Sequence, residues 1–322
     1  MSHPQFIAPQ KSRYSRGERQ SSVQVYDYGL LLLLAMIWGS SFLLQKVAVS
    51  EVTPVLMTAI RQILAAALLG LVVLFAGLKI KASAKEHWLM FLSAILGNAL
   101  PFSLISIGLQ DIDSGLAAIL MGAMPLVTIL LAHFTSHDEP LNRSKLLAVG
   151  IGILGLIVLF WPSLVSGLTA NLTAQLLVLG AALCYAFNTL VTKSVIHLEA
   201  PVLLFMIVMW SAVILVPAAW VMEDIPMILP GSNVIWSIIG LAVFPTAIAA
   251  FLMYEVIARQ GAGFFGQINL LVPICGVFWG FAFLGERLSW NAWAALLIIL
   301  SGVAVSRNWN SNQKVDNNSA QT

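Results

Sequence analysis

Two short series of side chains are suited to holding a small polar molecule. Trp38, Ser41 and Gln45 fall at i, i+3 and i+7, and Tyr185, Asn188 and Thr192 fall at the same spacing 147 residues later. On a helix, residues so spaced share one stripe. Each stripe therefore presents an aromatic ring followed by two hydrogen-bonding groups. That combination fits an organic solute with an apolar body and a few polar atoms, held between two walls. The competing reading is helix packing, in which interhelical hydrogen bonds contribute about 0.6 kcal/mol each on average.

Other polar residues in apolar surroundings carry the same two readings. Arg61 can meet a carboxylate or phosphate, or it can snorkel outward or cap backbone carbonyls. At mid-membrane an arginine costs about 2.5–3.5 kcal/mol on insertion scales. Glu255 is the only acidic residue within the apolar spans as placed below, and so a candidate for proton coupling. Arg259, four residues on, offers it an ordinary helix-surface ion pair instead. Asn98 precedes Pro101, and Gln267 and Asn269 precede Pro273. Proline removes a backbone hydrogen bond and loosens the turn before it. These amides can therefore sit at hinges, or beside plain kinks whose backbone groups neighbours re-satisfy. Pro125 and Pro245 carry the same ambiguity. Gly276 and Gly280 make a close-packing pair. His133 and His137 read as solvated loop residues with a pKa that permits a pH effect.

The chemistry of enzymes is missing. There is no phosphate-binding glycine loop, no nucleophile elbow and no paired-histidine zinc motif. Cys184 and Cys275 are two lone thiols in apolar runs, too few for a zinc site. No selectivity-filter sequence is present. Neither enzymatic activity nor a cofactor or metal is expected.

The elements that must position these residues follow from composition. Hydrophobic residues make up 59% of the chain and charged residues 9%, against about 25% charged in soluble domains. Such a chain is solvated by lipid. A crossing helix needs about 20 apolar residues. Ten such spans are predicted, at 28–48, 54–76, 88–109, 114–133, 145–162, 173–194, 201–222, 234–257, 263–284 and 291–306. Residues 1–27 and 307–322 are polar and read as disordered cytoplasmic tails. With the N-terminus in the cytoplasm, the inner side holds Lys11, Arg13, Arg16, Arg19, Lys79, Lys81, Lys85, Arg143, Lys145, Lys193, Arg259, Arg307 and Lys314. The outer side holds only Lys46 and Arg287. The positive-inside rule thus puts both termini in the cytoplasm.

The chain also repeats itself. Leu30, Ala35, Leu43, Lys46, Pro54 and Leu56 recur as Leu177, Ala182, Leu190, Lys193, Pro201 and Leu203. Gly115, Pro125, Glu139 and Gly155 recur as Gly263, Pro273, Glu286 and Gly302. Each copy holds five spans, and an odd number reverses the second copy in the membrane. The expected fold is an all-α integral membrane protein of ten transmembrane helices in two inverted five-helix repeats, 28–162 and 173–306. The inversion explains why Lys46 breaks the charge rule while Lys193 obeys it.

The run Ile37-Trp38-Gly39-Ser40-Ser41-Phe42 resembles the opening motif of the EamA-like family in the drug/metabolite transporter superfamily. Arg61, after the Pro54 turn, is similar. Ser114-Gly115-Leu116-Ala117-Ala118-Ile119-Leu120, running to Met124-Pro125-Leu126, resembles the family's fourth span. Gly285-Glu286-Arg287-Leu288 resembles its Gly-Glu-x-Leu turn, with Asp138-Glu139-Pro140-Leu141 a weaker first copy. The resemblance covers residues 28–306. It implies a transporter, and export rather than uptake, with an arginine at position 61 whatever the cargo. The expected activity is secondary export of a small metabolite or amino acid across the inner or plasma membrane by alternating access. The alternative is a channel-like facilitator or lipid flippase on the same scaffold. The expected partners are a small-molecule substrate and membrane lipid, with no nucleic acid, in a monomer or homodimer. Fold alone does not fix the cargo.

Overall fold

The computed structural model describes residues 23–135, 143–166, 169–195, 198–224 and 229–319. The described residues form thirteen α-helices and two π-helical segments, with no strand among them. In chain order the helices are α1 (Val25–Ala48), α2 (Pro54–Phe75), α3 (Ala84–Ala94), α4 (Leu100–Asp111), α5 (Ser114–Met121), α6 (Met124–Thr135) and α7 (Arg143–Ser166). They continue as α8 (Thr169–Lys193), α9 (Ala200–Met222), α10 (Ser232–Leu241), α11 (Ala249–Phe265), α12 (Ile268–Leu284) and α13 (Trp290–Ser319). The π segments Ile95–Ala99 and Ala242–Ile248 join α3 to α4 and α10 to α11.

Eight helical stretches are long and apolar enough to cross a membrane, and Ile268–Leu284 and Trp290–Ser306 are shorter apolar helices. Leu, Ile, Val and Phe side chains cover much of the outside, and Trp88, Trp161, Trp220, Trp236 and Trp290 are exposed close to helix ends. Tryptophan at helix ends matches the headgroup level of a bilayer. This is the surface of an integral, multi-pass membrane protein.

Local chemistry sets the helix ends. Pro54 opens α2, where its missing N–H costs nothing. Ser83 and Glu86 close a capping box on α3: Ser83 Oγ accepts from the Glu86 amide and Glu86 Oε2 accepts from the Ser83 amide at 2.6 Å. Gly285 ends α12 in the left-handed region, at φ 66°, which only glycine adopts freely.

Packing is closest where small residues meet. A β-carbon on Gly39 of α1 would lie 2.7 Å from Cys275 Cβ and 2.8 Å from the Gly276 amide of α12. Gly276 in turn lies against Ala118 of α5, leaving no room for a β-carbon. Gly155 of α7 faces Ile299 of α13, and Gly302 of α13 faces the Ala148 carbonyl of α7. The α2–α9 pair runs antiparallel, with Gly70 against Phe205 at one end and Val55 and Ala59 clustered with Leu215 and Ala219 at the other.

The structure departs from the predicted spans in several places. The third and eighth spans are each broken by a π segment, and the two segments begin 147 residues apart, at Ile95 and Ala242. Pro245 lies inside one and Pro101 just beyond the other. The fourth span is interrupted at Gly122 and Ala123, ahead of Pro125. At Gly261, with φ 80°, the backbone inside α11 turns out of helical geometry, within the stretch 258–262 expected to separate two spans. The last helix continues to Ser319, past the expected end at 306, because no glycine or proline follows Gly302 to stop it. The first helix begins at Val25, which brings Asp27 into it.

Candidate functional site

Arg61 of α2 is buried, 1% exposed. Its position is set by a chain of backbone consequences. Pro245 has no N–H, so a carbonyl one turn back loses its donor. The Thr246 hydroxyl donates to the Leu241 carbonyl at 2.8 Å. That leaves a lone pair on Thr246 Oγ1, which accepts from Arg61 Nε at 3.0 Å. The guanidinium carbon lies over the Phe102 ring of α4, 3.8 Å from its centroid. Phe102 also meets Tyr185 of α8 edge-on, with ring centroids 6.3 Å apart. Arg61 Nη1 is buried without a hydrogen-bond partner. The arginine neither snorkels nor forms a salt bridge with a described carboxylate. Residues from α2, α4, α8 and the second π segment thus converge on one cation.

The two predicted stripes do not close on one another; each is tied to the third span. Gln45 is 1% exposed, and both ends of its amide are engaged. Its Oε1 accepts from Ser106 Oγ at 3.1 Å and its Nε2 donates to the Ser41 carbonyl at 3.1 Å. Ser41 Oγ donates to the Trp38 carbonyl at 2.7 Å, and Trp38 meets Phe265 edge-on at 6.0 Å. On the second stripe, Asn188 Oδ1 accepts from Ser93 Oγ at 2.6 Å, and Thr192 Oγ1 donates to the Asn188 carbonyl at 2.9 Å. Ser106 and Ser93 lie on either side of the first π segment, which itself contains Asn98. Asn188 Nδ2 reaches Gly97 so closely that a β-carbon there would overlap it. Gln267 precedes α12, and Asn269 Nδ2 donates to the Gly266 carbonyl at 3.3 Å. These two lie beside the break before α12, apart from the Arg61 cluster.

Glu255 stands on the surface, its side chain 52% exposed and 3.7 Å from Arg259. The ordinary i, i+4 pair is what forms there. The buried carboxylate of this region is Asp27, 2% exposed, which sequence reasoning missed by starting the first span at Tyr28. Asp27 Oδ1 accepts from Arg259 Nε at 2.8 Å. Its Oδ2 accepts from Gln260 Nε2 at 2.7 Å and from the Gln24 amide at 3.0 Å. One acid therefore ties α1 to α11 immediately before the Gly261 turn.

The opposite end of the bundle is tied by charges placed on helix ends. Glu286 accepts from Ser114 N at 2.8 Å, Gly115 N at 2.9 Å and Ser114 Oγ at 3.0 Å, capping α5. Glu223 accepts from Val55 N at 2.9 Å and Leu56 N at 2.8 Å, capping α2. Lys46 Nζ donates to the carbonyls of Leu109 at 2.7 Å and Ile112 at 2.9 Å, at the C-terminus of α4. Anions at helix N-termini and cations at C-termini are the favourable arrangement. The Gly-Glu-x-Leu turn thus has a physical role, and Gly280 makes room for it, since a β-carbon there would overlap the Glu286 carboxylate. Glu223 and Thr246 carried no sequence signal beyond their positions near a span end and a proline. Gln62, buried with both amide atoms unpartnered, was likewise hidden in an apolar run.

Of two surface concavities, one is lined by Val277, Phe281, Leu288 and Trp293 together with Glu286 and Arg287 and the other by apolar residues including Leu147 and Leu154, and Arg61 lines neither. Among the described residues no cluster of histidine, cysteine or acidic side chains could hold a metal. His137, Asp138, Glu139, Pro140 and Leu141 lie outside the described residues, as do residues 1–22, and the side chains of His133, Lys193, Arg307 and Lys314 are likewise outside them.

Comparison with known proteins agrees with this architecture. The chain is similar to the uncharacterized transporter YoaV of Bacillus subtilis, 25% identical over 88% of this chain and 98% of the relative. It is similar to the same degree, 25%, to a protein of Escherichia coli named a probable amino-acid metabolite efflux pump, over 87% of this chain and 94% of that one. A solved crystal structure superposes with a TM-score of 0.63 at 15% identity, covering 90% of this chain and 99% of the other, which speaks to fold alone. The model of the EamA-like transporter family matches residues 27–161 and again residues 172–307. Matched twice, over nearly all of its membrane-embedded length, the chain belongs to the EamA-like transporter family.

Proposed function

We propose that this protein is a secondary transporter that exports a small metabolite or amino acid across the inner membrane by alternating access. Ten helices in two inverted repeats, 28–162 and 173–306, would rock about a central site. The tails at 1–27 and 307–322 would both lie in the cytoplasm, as the lysine and arginine bias requires. The observation that carries the reading is the crossed packing of the π segments. Ile95–Ala99 packs against α8 and α9, and Ala242–Ile248 packs against α1 and α2. Each irregular turn, at the same repeat position, thus rests on the first two spans of the other half. π-helical turns occur frequently at functional sites, and broken helices at a repeat interface are where transporters of this kind bind substrate.

The tied ends supply the rest of a cycle. Glu286, Glu223 and Lys46 fasten one end, and Asp27 with Arg259 and Gln260 fastens the other. Alternating access requires each set to release in turn while the other holds. The E. coli relative's name supports an amino-acid metabolite as the cargo class. Trp38, Ser41, Tyr185, Asn188 and Thr192 flank the path in this reading, with Gln45 as a strut and Asn98 at the flexing turn.

Purified protein in liposomes, loaded with a panel of radiolabelled amino acids, tests the proposal. Saturable flux that accelerates when the same solute is present on the far side supports a carrier. Flux that rises without saturation refutes it in favour of a channel-like facilitator. Lipid scrambling with no solute flux refutes it in favour of a flippase.

A further inference from the structure

We infer that Arg61 is the counter-charge for a single carboxylate on the transported molecule, a statement that rests on the transporter reading above. The guanidinium stays protonated at any physiological pH, and it is 1% exposed to solvent. Buried charges are ordinarily paired or neutralised, because the penalty for an isolated one is several kcal/mol. Among the described residues Arg61 and Asp27 are the buried charged side chains. Asp27 is bonded to Arg259. Arg61 has a hydroxyl on Nε, an aromatic face under its plane, and nothing on Nη1.

The unfilled partner is therefore an anion, and its charge and shape are constrained. One unpaired cation matches a monoanion and leaves a phosphate dianion uncompensated. Thr246 and Phe102 hold the guanidinium at two points, so Nη1 is offered to an acceptor with little rotamer freedom left to lose. Phe102, against the guanidinium, and Tyr185, edge-on to Phe102, provide aromatic surface in the same cluster for an apolar portion of the same molecule. The class this describes is a small organic acid or zwitterion with one carboxylate and an apolar body.

The test uses the full-length wild-type protein in detergent. Thermal unfolding, read by tryptophan fluorescence, is followed with the protein amino acids, the straight-chain acids from acetate to octanoate, the methyl ester and primary amide of each, and inorganic phosphate. At least one carboxylate should stabilise the protein, with half-effect at a concentration tenfold or more below that of its ester and amide. Arg61→Gln should reduce that preference to less than twofold. The wild-type comparison stands even if the variant fails to fold. Absence of stabilisation by any carboxylate, equal effects of acid and ester, a preference retained in Arg61→Gln, or phosphate acting below every monocarboxylate would each overturn the assignment. Saturable flux without a carboxylate preference removes the Arg61 inference and leaves the transporter reading standing. Carboxylate binding without saturable flux removes the transporter reading and, with it, the claim that the bound carboxylate is transported.

Discussion

Gly280→Ala and Glu286→Ala should damage the protein through the same three hydrogen bonds. Glu286→Ala strips Ser114 N, Gly115 N and Ser114 Oγ of their acceptor. Loss of a helix cap costs about 0.5–2 kcal/mol, and loss of a carboxylate from a helix N-terminus about 0.3–1 kcal/mol more. A total of about 1 to 3 kcal/mol is expected by those two figures together. Gly280→Ala places a methyl where the Glu286 carboxylate sits and 2.7 Å from Ser114 Oγ. The carboxylate must leave, so the cap is lost, with overpacking of about 1–3 kcal/mol added. Were the two sites independent, the double variant would lose the sum. With the carboxylate already gone, the new methyl meets only Ser114 Oγ, so a coupling of about 2 kcal/mol is expected in the double-mutant cycle. Equilibrium unfolding in mixed micelles on titration with SDS measures all four corners. Additivity of the two losses within about 0.5 kcal/mol would refute the geometry.

Three further outcomes follow from the same contacts. Thr246→Val should orphan both the Leu241 carbonyl and Arg61 Nε, costing about 1–3 kcal/mol and impairing transport, whereas Thr246→Ser restores both; equal transport by Val and Ser variants would count against the Arg61 cluster. Gly39→Ala should destabilise by about 1–3 kcal/mol by driving α1 off Cys275 and Gly276, and a wild-type unfolding midpoint would contradict that crossing. Glu255→Gln should leave transport rate and its pH profile unchanged, because that side chain is 52% exposed; a flattened profile would reinstate it as a proton carrier.

Much of this molecule is written in its sequence in terms of length and period. Apolar runs of about 20 residues located most helices to within a few positions, though not the end of the last one or the breaks inside the third, fourth and eighth spans, since burial of backbone polar groups in lipid leaves helices as the default. The repeat selected Trp38, Ser41, Gln45, Tyr185, Asn188 and Thr192 as polar faces, and all six do meet partners across the bundle or along their own helix. Their actual neighbour, the third span, was not legible, because Ser93 and Ser106 are small and common and nothing in their spacing reveals which helix they face. The π turns were visible only as prolines, and a proline does not say whether the helix kinks, breaks or widens. Asp27 was lost to a three-residue error at one helix start. Arg61 was found but not its surroundings: its fate depends on Thr246, 185 residues away, whose hydroxyl is free to accept only because Pro245 left a carbonyl for it to serve.

The capping acids carry a consequence for synthesis. Glu223 is 168 residues downstream of the Val55 amide it serves, and Glu286 is 172 residues downstream of Ser114. At a ribosomal rate of about 5–20 residues per second, these acids emerge roughly ten to thirty seconds after the helices whose ends they close. During that interval the newly inserted first half waits with bare N–H groups at two of its helix starts. A chain truncated after the first copy would keep them bare for good, making it a natural target for membrane quality-control proteases.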